Sequence, residues 1–191
     1  MEIITKTEFL KDIDNHIEHL SYGAVFIYPT DTIYGIGCDA RNAALVRQIR
    51  EVKQSPESPF SVIAPSKDWI KDNLEFKPEF DGWLGRLPGP YTLIMNLKNK
   101  DCVSEDTTAF HDTLGIRIPD NWFSDIIKEA GLPIITTSVN IHGEPPLVSV
   151  KEIPENIKSL VDFVVDDGII TGKPSTIVDL TRSPPEIIKR K

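Results

Sequence analysis

The chain of 191 residues is 40% hydrophobic and 26% charged, proportions of a soluble globular domain long enough to bury its own core. Its formal net charge of −8 and isoelectric point near 5.0 disfavour non-specific nucleic-acid binding, which relies on many Lys and Arg contacts to phosphate. They do not exclude a small anion held locally by a few convergent cations, and no run approaches the roughly 18 apolar residues of a membrane helix.

The N-terminal MEIITKTEFLKD lacks the basic-then-apolar pattern of a signal peptide. Thr5 or Thr7 is placed to cap a helix to about Leu20, with Phe9, Leu10, Ile13, Ile17 and Leu20 on one face and Gly23 as the stop. AVFIY reads as a short buried strand. YPTDTIYGIG then loads one turn with Pro, Thr, Asp and Gly, either as a tight turn or as the floor of a site. A helix follows from about Asn42 to Val52, then the strand FSVIA and two short helices around Trp69 and Trp83. PGP punctuates the chain before the strand YTLIMNL, and LGIRIP is a strand closed by proline. A helix from Asn121 to Ala130 stops at Gly131, followed by the strand PIITTS and the polar loop VNIHGEPP. A helix near Glu155 to Leu160, then VDFVV, STIVDL and EIIK, complete the set. Strands alternate with helices but some are joined by loops alone. The expected fold is therefore α/β, one domain over residues 1–191, with a twisted mixed parallel and antiparallel sheet and flanking helices.

Several familiar chemistries are missing. GIITGKPS looks like a phosphate loop, but three residues, not four, separate its glycines, Pro174 follows Lys173, and a strand comes next. His16, His19, His111 and His142 form no metal pattern, and His142 is the one placed in a polar loop beside TTSVN. There is no GxSxG. Cys38 and Cys102 have no CxxC spacing, which fits a reducing compartment, and Cys38 reads as a small packing residue. What remains is a set of hydroxyl-rich strand ends and one arginine, Arg117, inside an apolar strand. Alternation puts Thr113, Gly115 and Arg117 on one face. Such an arginine either pairs with a buried acid or binds an anionic ligand, and the residues alone leave both open.

Taken in order, YPTDTIYGIGCDA, the lysine of REVK, PGPYTLIM, LGIRIP, TSVN with HGEP, and STIVDL resemble the YrdC family from about Tyr28 to Ile188. The resemblance implies an α/β domain around a concave, locally positive cleft, in the short form without the extra C-terminal domain of some members. It implies threonylcarbamoyl-AMP synthase activity, in which L-threonine, bicarbonate or CO2 and ATP give the adenylate and pyrophosphate. Mg²⁺ would arrive with ATP, and the product would pass to a tRNA threonylcarbamoyl transferase. Weak or no direct tRNA binding, no membrane association and a cytoplasmic location are expected.

Carried over residue by residue, Thr30, Thr32 and Tyr34 match the threonine side of the cleft, and Arg117 matches the holder of the threonine carboxylate. Thr136 and Ser175 match threonine-side positions. Lys53, Thr113, Ser138, Asn140, Thr176 and Lys189 match the nucleotide side, with Lys53 and Arg117 the two charge-bearing catalytic candidates. Asp31 and Asp179 read as turn and strand-end acids. The sequence departs from the family pattern where a KxR arginine becomes Ser55, where an asparagine falls at Ser58 or is missing, and where a serine becomes Pro146. A hydroxyl does not replace a fixed charge at a triphosphate. Arg47, Arg50 and Arg86 are the candidates to replace it in space. The alternative reading is a non-catalytic member of the family that binds nucleotide or RNA through the same cleft.

Overall fold

The computed structural model describes residues 1–55, 57–141 and 144–188. His142 and Lys189 lie outside the described residues. In chain order the elements are β1 (Glu2–Thr5), α1 (Lys6–Lys11), α2 (Ile13–Tyr22), β2 (Phe26–Tyr28), β3 (Gly35–Gly37), α3 (Ala43–Val52), β4 (Ser61–Ile63), α4 (Lys67–Asn73) and α5 (Asp81–Leu84). They continue with β5 (Tyr91–Asn96), α6 (Glu105–Thr108), β6 (Thr113–Arg117), α7 (Phe123–Ala130), β7 (Ile134–Ser138), α8 (Glu155–Lys158), β8 (Phe163–Asp166), β9 (Thr176–Asp179) and β10 (Glu186–Ile188).

Among the described residues, ten strands form one sheet in the order β1-β8-β2-β3-β7-β4-β6-β5-β9-β10. Parallel pairs (β1–β8, β2–β8, β4–β6, β5–β9) mix with antiparallel ones (β2–β3, β3–β7, β4–β7, β5–β6, β9–β10), as the loop-only connections imply. Strand alternation divides the apolar side chains between two clusters. In β2, Ile27 joins one with Tyr34, Ile36 and Val62, while Phe26 and Tyr28 join the other with Phe9, Phe123 and Phe163.

The first helix is broken in two. Thr5 caps α1 through a capping box with Glu8, and Asp12 then leaves helical geometry (φ −131°, ψ 47°) before α2 begins. Gly23 and Gly131 end α2 and α7 in the left-handed conformation, and Asn42 caps α3 through the Leu45 amide. Two strands lay outside the sequence reading. β1 pairs with β8 from the far end of the chain, and β3, Gly-Ile-Gly, is a strand because β2 and β7 supply both its partners. No helix among the described residues is long and apolar enough to cross a membrane.

Register sets the site. Ser61 of β4 lies opposite Thr136 of β7 and Gly115 of β6, and Ser138 lies opposite Gly35. Directly paired residues share a face, so a row of small and hydroxyl-bearing positions runs across the middle of the sheet. Gly115 must be small: a Cβ there would stand 2.6 Å from Ser61 Oγ.

Candidate functional site

This row floors a cleft of about 470 Å³, a usual size for a small-molecule site. Lys53, Arg117, Thr30, Tyr34, Thr136, Ser138, Asn140 and Ser175 all line it, so segments more than 140 positions apart in the chain meet there. Thr32, Thr113 and Thr176 are not among the lining residues. Thr113 shares the face of Arg117 by alternation but sits at the start of β6, opposite Asn96, and Thr176 is exposed at the start of β9. Ser61 and Thr92 line the cleft without having stood out in the sequence. Only the pairing of β4 and β5 with their neighbours brings them in.

Arg117 ends β6 with its guanidinium buried. It forms an ion pair with Asp31 through Nη2, the two side chains being 6% and 9% exposed, and donates from Nη1 to Thr32 Oγ1 at 3.3 Å. The other oxygen of Asp31 accepts from the Asp120 amide at 3.1 Å. The arginine thus has its buried acid and also faces the cleft. Its Nε is buried with no hydrogen-bond partner among the described residues. Burial holds Arg117 below the usual arginine range, and Asp31 opposes that shift.

The hydroxyl of Thr30 is used by its own turn. It accepts from the Thr32 and Ile33 amides at 3.1 and 3.2 Å, donates to the Ile33 carbonyl at 2.6 Å, and lies 3.0 Å from Thr32 Oγ1. The overloaded stretch is therefore both things: a self-bonded turn, and a wall whose Asp31 and Thr32 hold Arg117.

Lys53 caps the C-terminus of α3 and is buried. Its ammonium donates to the Ser138 carbonyl at 2.6 Å, the Asn140 carbonyl at 2.9 Å and Asn140 Oδ1 at 3.1 Å. Burial lowers its pKa to about 8. Asn140 Oδ1 also accepts from Ser138 Oγ at 2.5 Å, and its amide nitrogen donates to the Glu144 carbonyl at 2.5 Å. The Ser-x-Asn motif is thus a cage that fixes one buried lysine. Ser175 Oγ lies 2.7 Å from Thr92 Oγ1.

Ser55 lines the cleft where an arginine was expected, and none of the three candidate replacements does. Arg47 pairs with Asp106 at 2.7 Å. Arg50 lies over the Phe60 ring and donates to the carbonyls of Ser55, Ser58 and Asp106. Arg86 stacks on Trp83 and donates to Tyr91 Oη at 3.0 Å. Arg47 and Arg50 instead line a second, larger hollow of about 790 Å³ that shares Ser55 with the first.

Among the described residues no carboxylate lines the first cleft, and no group of three or more His, Cys, Asp or Glu could hold a metal ion. A divalent cation there would be held by substrate phosphates, water and hydroxyl or amide oxygens, without the one or two carboxylates usual for Mg²⁺ with nucleotides. Cys38 is buried, and its thiol is pushed well up by that burial.

The family model Sua5_yciO_yrdC, described as "Telomere recombination", matches residues 18–191. A threonylcarbamoyl-AMP synthase of Vibrio campbellii is 30% identical over 181 residues, covering 91% of this chain and 97% of that protein. Another, from Xanthomonas axonopodis pv. citri, is 34% identical over 162 residues, covering 81% and 85%. Among solved structures, P. abyssi Sua5 complexed with L-threonine superposes with a TM-score of 0.86 at 26% identity over 98% of this chain. The present chain spans 56% of the length of that Sua5.

Proposed function

The chain belongs to the Sua5/YciO/YrdC family, and on that basis we propose that it is an L-threonylcarbamoyladenylate synthase. The observation that carries the reading is one cleft that gathers Lys53, Arg117 and a row of hydroxyls, in a chain that matches a Vibrio synthase over 97% of that protein.

In this reading the threonine amine adds to CO2 with loss of a proton, or to bicarbonate with loss of water, and the new carboxylate attacks the α-phosphorus of ATP, releasing pyrophosphate. The protein supplies position and charge rather than a covalent nucleophile. Arg117, already oriented by Asp31 and Thr32, holds the threonine carboxylate with the guanidinium edge that faces the cleft. Lys53, carried by the Ser138 and Asn140 oxygens, sets positive charge beside the triphosphate. Thr136, Ser138 and Ser175 orient substrate through hydroxyls, and the buried Tyr34 backs the wall between them. Thr32 works through Arg117. Thr113, Thr176 and Lys189 remain nucleotide-side proposals. Mg²⁺ carried by the entering ATP would offset phosphate charge. The adenylate passes to a tRNA threonylcarbamoyl transferase in the cytoplasm, without tight binding of tRNA by this chain.

Purified protein given threonine, bicarbonate and Mg-ATP should release pyrophosphate in a threonine- and bicarbonate-dependent way, and Arg117→Ala should lower that rate about 100-fold or more. No pyrophosphate above background would sink the proposal. Ser55 favours one second reading, a nucleotide- or RNA-binding protein without turnover. RNA affinity that falls steeply with salt, with no pyrophosphate formed, would mark it.

A further inference from the structure

Residues 167–175 leave β8, the second strand of the sheet, and enter β9, the ninth. Seven inter-strand spacings of roughly 4.8 Å make about 34 Å across a flat sheet. The ten residue steps from Asp166 to Thr176 reach at most about 33–36 Å. The segment is a strap over the strands between, and the curl of the sheet supplies what slack it has.

The strap is fastened along its length. Tyr34 Oη accepts from the Asp167 amide at 3.0 Å and donates to the Gly168 carbonyl at 2.8 Å. Trp122 Nε1 donates to Asp167 Oδ2 at 2.7 Å, and the Ile170 amide donates to the Val148 carbonyl at 3.0 Å. At Gly172 the strap lies so close to the Thr30–Ile33 turn that a Cβ would stand 2.0 Å from the Thr32 carbonyl oxygen. Beyond it, Pro174 and Ser175 form part of the cleft wall. Tyr34 borders the cleft with its side chain fully buried, and its hydroxyl is spent on the strap. Burial pushes that phenol up to about 12, so it stays a donor through the neutral range.

We propose that Tyr34 is a positioning residue: together with the close seat of Gly172 on Thr32, its hydroxyl sets where the strap crosses and hence where Pro174 and Ser175 stand in the cleft. This rests on the reading of the cleft as the substrate site. Thr30–Tyr34 would then shape the site largely by holding the opposite wall at a fixed distance.

Tyr34→Phe keeps the ring and removes the two strap hydrogen bonds. It should raise the KM for threonine about tenfold while kcat stays within about twofold. Gly172→Ala should act in the same direction. The double variant should fall short of the product of the two effects, because both loosen one strap. Unchanged KM in Tyr34→Phe overturns the proposal. So does a fall in kcat that merely follows the folded fraction, or full multiplicativity in the double variant. If the unaltered protein releases no pyrophosphate, the synthase reading has failed, and hydrogen exchange at the amides of residues 167–172 decides the strap alone. Faster exchange in Tyr34→Phe supports it, and unchanged exchange overturns it.

Discussion

Arg117 and Asp31 stand 86 positions apart and form an ion pair in which neither side chain is as much as a tenth exposed. A buried pair is held by mutual need: each charge is costly without the other. Asp31→Ala should therefore destabilise the protein by about 3–5 kcal/mol, whereas Asp31→Asn, whose one amide oxygen keeps an acceptor for either Nη2 or the Asp120 amide and sets its NH2 against the other, should cost less. Joining Asp31→Ala to Arg117→Met should recover part of the loss. Urea melts of the four proteins check this: equal losses for Ala and Asn would assign the whole effect to the charge, and an Asn variant as stable as the unaltered protein would argue against a role for the charge.

Lys53 gives a pH signature whose sign follows from burial. The folded pKa is lowered to about 8 from an ordinary 10.5. Below about 8 both folded and unfolded chains hold the proton, and the cost of burying the charge is fully present. Between about 8 and 10 the unfolded chain binds the proton that the folded protein has released, so stability rises with pH in that window. Lys53→Met lacks this rise. The stability of the unaltered protein relative to the variant should improve from pH 8 to pH 10 in denaturant melts.

Asn140 joins the lysine to the strand end. Asn140→Ala removes one of three acceptors from the ammonium, the acceptor of Ser138 Oγ and the donor to the Glu144 carbonyl. Its expected cost is about 1–3 kcal/mol, with a raised KM for ATP rather than for threonine. Separate titrations of the two substrates distinguish these effects.

Gly115 tests the floor of the cleft. An added methyl meets Ser61 Oγ at 2.6 Å and Ser61 Cβ at 3.3 Å, so Gly115→Ala should cost about 1–3 kcal/mol and reduce substrate affinity. Ser61→Ala in the same chain removes the closer contact and should restore part of the stability. Thermal melts of the single and double variants read the difference.

Much of the architecture was legible because it is written in local patterns. The spacing of Leu45, Ile49 and Val52 marks α3, and LGIRIP marks β6. Where partners far along the chain decide, the pattern was silent. Gly35–Gly37 has little intrinsic strand preference and becomes β3 through pairing on both sides. Asp12 interrupts an apolar stripe that reads as one helix. The site followed the same division. Lys53, Arg117 and Ser138 are visible as motif residues, but the carbonyl cage around the lysine and the acid beneath the arginine depend on tertiary approach. Thr92 and Ser61 are ordinary strand residues until register lays them beside Ser175 and Gly115.

Trp122 is one of three tryptophans. Its indole is bonded to Asp167 at the root of the strap, with Lys6 4.9 Å above its ring and Phe123 against its edge. Trp69 and Trp83 pack elsewhere, against the other apolar cluster. A chain in which those two are replaced by phenylalanine would therefore carry a single native fluorophore at the root of the strap. Its emission would report on the Asp167 contact, and so on the seating of the strap, without any attached label.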